Sequence, residues 1–395
     1  MLSELSTSIM NNFEFHNPTR IVFGKGRAAE LAKLVPVDAK VLILVGGSSA
    51  EKTGTLSEVR LALGDRMTGT LSGIEPNPEF DTCMLAVQRV RQEGFDFLLA
   101  VGGGSVIDAT KFIAAAVPFD GDPWEILLKS GRNVGSAMPF GVMLTLPATG
   151  SEMNNGGVIT RRSLAAKLSF RSRHLFPQFS VLDPTKTYTL PRQQLANGVV
   201  DAFVHTVEQY LTYPVNAPVQ DRFAEALLQT LIEIGPRLTA AEEPDYDDRA
   251  SLMWVATMAL NGVIGAGVPQ DWSTHMIGHE LTALHNLDHA VTLAIVLPAM
   301  LSERRNQKRE KLLQYATRVW HLEHGTEEQR IDAAIDHTRS FFEKMGIPTR
   351  LGAYKLNQGD VNKVIDLLEK HSMTQLGERR EVTLEVSRHV LESAL

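Results

Sequence analysis

The chain has 395 residues, 44% hydrophobic and 22% charged, with a formal net charge of −7. That length suggests two or three domains with a large core, and the ordinary charge content excludes disorder as the main state. The acidic balance argues against nucleic acid and against an anionic membrane surface as partners.

Cys83 is the only cysteine, so an internal disulfide is excluded, and so are zinc sites built on several cysteines. A metal here would rest on nitrogen and oxygen ligands. In chain order, Met1 to Met10 carries Glu4 and lacks a basic start and an apolar run, so it does not read as a signal peptide; Met10 offers an alternative start. Val41–Val45 runs into Gly46-Gly47-Ser48-Ser49, Phe97–Val101 into Gly102-Gly103-Gly104-Ser105, and Gly141–Leu146 into Pro147-Ala148-Thr149-Gly150-Ser151. Helical spacing follows the first two turns, at Leu56, Val59 and Leu63 and at Ile107, Phe112, Ile113 and Ala116. Strand, glycine turn and helix in repetition predict a parallel, Rossmann-like sheet with ligands at the strands' carboxyl ends. Backbone N–H groups at such turns suit phosphate. Apolar stretches such as Ala137 to Pro147 fall short of the ~18 residues a membrane span needs. A cytoplasmic protein is expected.

After about Pro191 the pattern is helical, with no convincing strand. Val200, Phe203, Val204, Val207 and Leu211 share a face, and Phe223, Leu227, Leu228, Leu231 and Ile232 form a stripe predicted to end at Gly235-Pro236. Further helices are predicted over Arg249–Asn261, Glu310–Trp320, Ile331–Met345, Val361–His371 and Thr383–Leu395. The basic run Arg304 to Lys311 reads as a solvated face. An α/β domain over residues 1–190 followed by an all-α domain over 191–395 is the expected organisation.

Histidine is concentrated. His275, His279, His285 and His289 lie close together in sequence, and His205 follows Asp201 by four residues. At that spacing Asp201 and His205 share a helix face and can meet one ion, or Asp201 can be a cap and His205 a hydrogen-bonded core residue. His275 and His279 are again one turn apart. His279-Glu280 resembles the start of a zinc-protease motif but fails it, because position 283 is Ala.

These residues resemble the iron-containing, or group III, alcohol dehydrogenases. The resemblance lies in Asp183-Pro184, in Ala196 through Glu208, in the spacing of His275, His279 and His289, in Gly102 to Asp108 with Lys111, and in Thr145 to Glu152. Within the family the chain is most similar to NADPH-dependent broad-range aldehyde reductases, often labelled butanol dehydrogenases. The resemblance implies a dehydroquinate synthase-like architecture, with a dinucleotide-binding and then a metal-binding domain. It implies one divalent ion, Fe2+ or Zn2+, on Asp201, His205, His275 and His289, in the cleft between the domains. It implies cofactor contacts at Gly46, Gly47, Ser48, Ser49, Gly102, Gly103, Gly104, Ser105, Asp108, Thr145, Thr149 and Lys167, with His279 and Asp108 as catalytic residues.

His279 is the candidate for relaying a proton to the developing alkoxide; its alternative is to orient the metal site. Lys167 could instead be a solvated lysine, and Asp108 a plain turn residue. Residues 46–50 carry no acid before Glu51, and Lys52 adds a positive charge, which points to NADP(H) rather than NAD(H). The expected activity is interconversion of small aldehydes and primary alcohols, by a homodimer. The competing readings are a metal-dependent lyase or polyol dehydrogenase of the same architecture, or a non-catalytic nucleotide- or metal-binding protein. Trp272, Met276, Leu281 and Leu284 near the ligands favour an apolar aldehyde over a polyanion.

Overall fold

A computed structural model describes residues 9–395. Residues 1–8, which hold most of the segment read as unlike a signal peptide, lie outside the described residues. Contacts divide the chain into two compact units.

The first unit, His16–Gln194 with Ala241–Asn261, is built on a six-stranded sheet. Its strands are β1 (Arg20–Phe23), β2 (Val41–Val45), β3 (Thr68–Leu71), β4 (Phe97–Gly103), β5 (Phe140–Leu146) and, after the hairpin β6 (Gly156–Arg161) and β7 (Ala166–Arg171), β8 (Phe179–Leu182). The order is β1-β8-β5-β4-β2-β3, all parallel. Alternate residues point to opposite faces. Leu42, Leu44, Leu98 and Ala100 enter one core and Val41, Ile43, Val45, Phe97 and Leu99 the other. Both faces are covered, which is why these strands read as unbroken apolar runs.

The second unit joins Leu195–Ala240 and Gly262–Leu395 with the N-terminal stretch ending at Phe15. Helix His289–Glu303 is buried along nearly its whole length and packs on helices Ser273–His285, Glu327–Lys344 and Leu384–Ser393. No helix among the described residues is long and apolar enough to cross a membrane.

Four features depart from the sequence reading. Residues 241–261 pack with the α/β unit, so a single break near residue 190 does not describe the division. Helix Tyr246–Ala259 is tied there by Arg249 Nη1 on the Thr187 carbonyl (2.8 Å) and by Thr257 Oγ1 on Glu152 Oε1 (2.5 Å). The helical unit carries a small antiparallel hairpin, β9 (Gln375–Leu376) and β10 (Val382–Thr383). Helix Pro218–Ala240 runs through Gly235-Pro236 instead of stopping there. The basic run is a solvated face only in part, since Arg305 and Arg309 stay partly exposed and pair with the exposed acids Glu327, Glu328 and Asp332. Arg304, Lys308 and Lys311 are buried and paired with Glu381, with Asp271 and Glu378, and with Asp221.

Candidate metal and dinucleotide sites

In the α/β unit, β2 feeds β3 on one side while the chain from β3 crosses back to β4 on the other. The strand order therefore reverses between β2 and β4, the crevice where open parallel sheets take ligands. The turn Gly46–Ser49 leaves β2 at its carboxyl end, while Gly102–Ser105 is the junction itself, the last two residues of β4 and the first two of the helix that follows. Gly104 opens helix Gly104–Ala116, whose first N–H groups have no intrahelical acceptor.

The two turns use glycine differently. A Cβ on Gly47 would meet nothing within 4 Å, so that backbone is open to a ligand. A Cβ would meet Val106 at Gly102 (2.5 Å) and Leu146 at Gly103 (2.9 Å), and it would collide with Thr149 at Gly104. The second turn is glycine because the protein's own side chains crowd it. Ser48, Ser49, Glu51 and Lys52 are exposed, and Thr145 and Thr149 lie at and just beyond the end of β5. Lys167 is buried and donates to Asn77 Oδ1 at 3.0 Å, which removes its solvated alternative. Asp108 accepts from Ser151 Oγ (2.6 Å) and Val158 N (2.9 Å), so both carboxylate oxygens brace the fold. Lys111, without a role in the sequence reading, donates to Ser151 Oγ, Asn154 Oδ1 and the Gly156 carbonyl at 2.7–2.8 Å. Burial lowers its ammonium to about 7, against Asp108 and Glu152.

In the helical unit, helix Arg192–Tyr210 carries Asp201 and His205 on one face, and helix Ser273–His285 carries His275 and His279. His289 opens helix His289–Glu303 after Asp288, whose carboxylate accepts from Asn197 Nδ2 at 2.9 Å. Gly278 permits the close approach of the last two helices, since a Cβ there would meet Thr292 Oγ1 at 2.9 Å. Asp201, His205 and His275, all buried, each bring one ligand atom within 4.8 Å of the others. His289 adjoins them, with Nε2 3.7 Å from Asp201 Oδ1 and its ring centroid 5.2 Å from that of His275. The His205 and His275 rings stack at 4.7 Å, and His279 is buried with its centroid 5.3 Å from that of His289.

Stacked imidazoles around a buried carboxylate fit a divalent cation. Burial lowers His205 to about 4, with Asp201 opposing, which keeps its ring neutral as a metal ligand requires. Its Nδ1 is buried with no hydrogen-bond partner among the described residues.

Two further features lie beyond the sequence reading. Trp272 has φ 63° at the start of the His275 helix, a conformation costing a bulky residue about 1–3 kcal/mol, and its indole meets the His275 ring edge-on at 5.3 Å. Glu208, one turn beyond His205, contacts His275 Nδ1. Burial pushes its carboxyl well above the usual range and Asp271 adds to this, while the Thr274 N–H and Lys308 oppose it. The spacing 201, 205, 208 puts Glu208 on the face of Asp201 and His205, but nothing local signals its contact with His275 or the backbone of Trp272.

An iron-containing alcohol dehydrogenase domain matches residues 18–184, and the C-terminal domain of the Fe-containing alcohol dehydrogenase family matches 195–395. The chain is 58% identical over 388 residues to the NADPH-dependent aldehyde reductase YqhD of Escherichia coli, covering 98% of this chain and all of that one. It is 39% identical over 362 residues to a probable NADH-dependent butanol dehydrogenase of Bacillus subtilis, covering 90% and 93%. A crystal structure of the Escherichia coli K-12 protein superposes with TM-score 0.97 at 57% identity, over 98% of this chain and 100% of that one. NADH-dependent butanol dehydrogenase A of Thermotoga maritima gives 0.93 at 32%, over 98% and 99%.

Proposed function

The chain belongs to the iron-containing alcohol dehydrogenase family, and from that premise we propose that it is a metal-dependent oxidoreductase that reduces small aldehydes to primary alcohols with NADPH. The observation that carries the reading is the buried cluster of Asp201, His205 and His275 with His289 beside it. When bound, Fe2+ or Zn2+ supplies Lewis acidity to the carbonyl oxygen and the nicotinamide supplies hydride.

The protein's part is to hold and to orient. Asp201 brings the negative charge, and His205, His275 and His289 bring neutral donors. Gly46–Ser49 and the start of helix Gly104–Ala116 receive the cofactor's phosphates, with Thr145 and Thr149 at and just beyond the end of β5 and Lys167 on the hairpin strand β7. Asp108 and Lys111 brace the loop Ser151–Gly156 beneath it. His279, buried one turn from His275, is the residue proposed to pass a proton to the alkoxide. The NADPH preference is supported by the acid-free turn 46–50 and by the cofactor named for the Escherichia coli relative. A cytoplasmic homodimer completes the proposal, supported by the single buried Cys83 and the prevalence of twofold dimers.

NADPH oxidation with butanal tests the reading. Turnover that vanishes on metal removal, returns with added Fe2+ or Zn2+ and is slower with NADH is expected. A metal-stripped protein that turns over at the full rate refutes it.

A further inference from the structure

Glu208 follows Asp201 and His205 on one face of helix Arg192–Tyr210, and its side chain is 2% exposed. Oε1 accepts from Thr274 N at 2.6 Å, and Oε2 meets His275 Nδ1. The main chain is tied too, because Asp271 N donates to the Glu208 carbonyl at 2.9 Å. Asp271 accepts from Ser273 N at 3.1 Å, at the start of the His275 helix, and pairs with buried Lys308 at 2.8 Å. Lys308 is held in turn by Glu378 at 2.9 Å and by the Leu211 carbonyl at 2.7 Å. Glu208, Asp271 and Lys308 are thus linked in one network that reaches His275 at its Nδ1.

We propose that Glu208 is a positioning residue for the metal, holding the Nδ1 hydrogen of His275 and so fixing the tautomer that presents the Nε2 lone pair beside Asp201 and His205. The opposite tautomer would aim an N–H at the cation and leave a lone pair facing a carboxylate. A carboxylate behind the ring also makes Nε2 a stronger donor. Lys308 and Asp271 set the height of Glu208 and of the helix start together. The inference rests on the ligand assignment proposed above.

The test uses the full-length apoprotein titrated with Co2+ against a competing chelator, with wild type, Glu208→Gln, Glu208→Asp and His275→Ala side by side. The Gln variant keeps the shape and removes the charge. It is expected to bind about 10- to 100-fold more weakly, with a shifted Co2+ visible spectrum and an apoprotein Tm close to wild type. The Asp variant is expected to recover part of the affinity, which keeps the comparison decisive if Gln lowers the Tm. Wild-type affinity and spectrum in Glu208→Gln, with metal lost in His275→Ala, would overturn the role of Glu208 alone. Equal loss in Gln and Asp would overturn the charge argument. Metal retained in His275→Ala would overturn the ligand assignment itself, and this inference with it.

Discussion

Lys111 in the α/β unit and His205 in the helical unit are both buried polar side chains, at 0% and 4% exposure. Around Lys111 each ammonium hydrogen finds an acceptor, and Ser151 passes the chain on to Asp108. Around His205 the neighbours are a carboxylate and another imidazole stacked at 4.7 Å, and Nδ1 has no hydrogen-bond partner among the described residues. Burying a polar atom without a partner costs roughly 1–3 kcal/mol, so proteins keep such sites rare. The closed cluster is a brace, complete in itself. At His205 it is Nε2 that faces Asp201 Oδ1, at 3.5 Å, and with His275 the three residues bring ligand atoms within 4.8 Å of one another, a set that a shared cation would join, and that separates a site from a scaffold.

The largest effect that could break this contrast is in the helical cluster. His275→Ala should lower kcat/KM by roughly a thousandfold or more, since Lewis-acid stabilisation is worth several kcal/mol, and should release most of the metal. Elemental analysis beside steady-state rates checks both; normal rate with full occupancy would make the cluster ordinary packing.

Lys111→Met probes the brace. It leaves three acceptors without their donor, at roughly 1–3 kcal/mol each, and a large fall in Tm is expected. The pH dependence carries a sign. Lys111 is depressed to about 7 in the folded chain, from 10.5, so between those values the unfolded state binds more protons and stability rises with pH. The contribution is lost as pH falls toward 7. The stability gap between wild type and the Met variant should widen from pH 7 to about 10; a constant gap would show that Lys111 stays charged throughout.

The two glycine turns sharpen the contrast on a smaller scale. Gly103→Val should destabilise by about 1–3 kcal/mol through overpacking against Leu146. That variant therefore reports on packing as well as on the cofactor contact that the family resemblance implies at Gly103. Gly47→Asp places its side chain in open space. Its Tm should move little, while the ratio of kcat/KM for NADPH and NADH swings toward NADH by roughly 10- to 100-fold, the worth of about 1.5–3 kcal/mol in charged hydrogen bonding. An unchanged ratio would remove this turn from cofactor choice.

What the sequence disclosed follows from how local each signal is. The runs Val41–Val45 and Phe97–Val101, each ended by glycine, were legible because a strand buried on both faces must be apolar throughout. Asp201 with His205, and His275 with His279, were legible because helical spacing places side chains without tertiary information, whereas the joining of His289 and of the two helices into one set was implied only by the family resemblance. Helix Pro218–Ala240 overrode a stop signal at Gly235-Pro236, and the short strands β9 and β10 have too few residues for any period. Arg304, Lys308 and Lys311 looked solvated because their acidic partners, Asp221, Asp271, Glu378 and Glu381, are remote in sequence. Glu208 was hidden for the same reason, since its contact with His275 spans 67 residues.

The central claim is that the cluster around Asp201 and His205 holds the ion on which aldehyde reduction depends. It is tested most directly by following metal content and NADPH-dependent butanal reduction in one preparation during chelation and re-addition of Fe2+ or Zn2+. The account predicts that rate and occupancy fall and recover together, with about one ion per chain at full activity and no recovery in Asp201→Ala. Full activity at negligible occupancy, or recovery in Asp201→Ala equal to wild type, would contradict it.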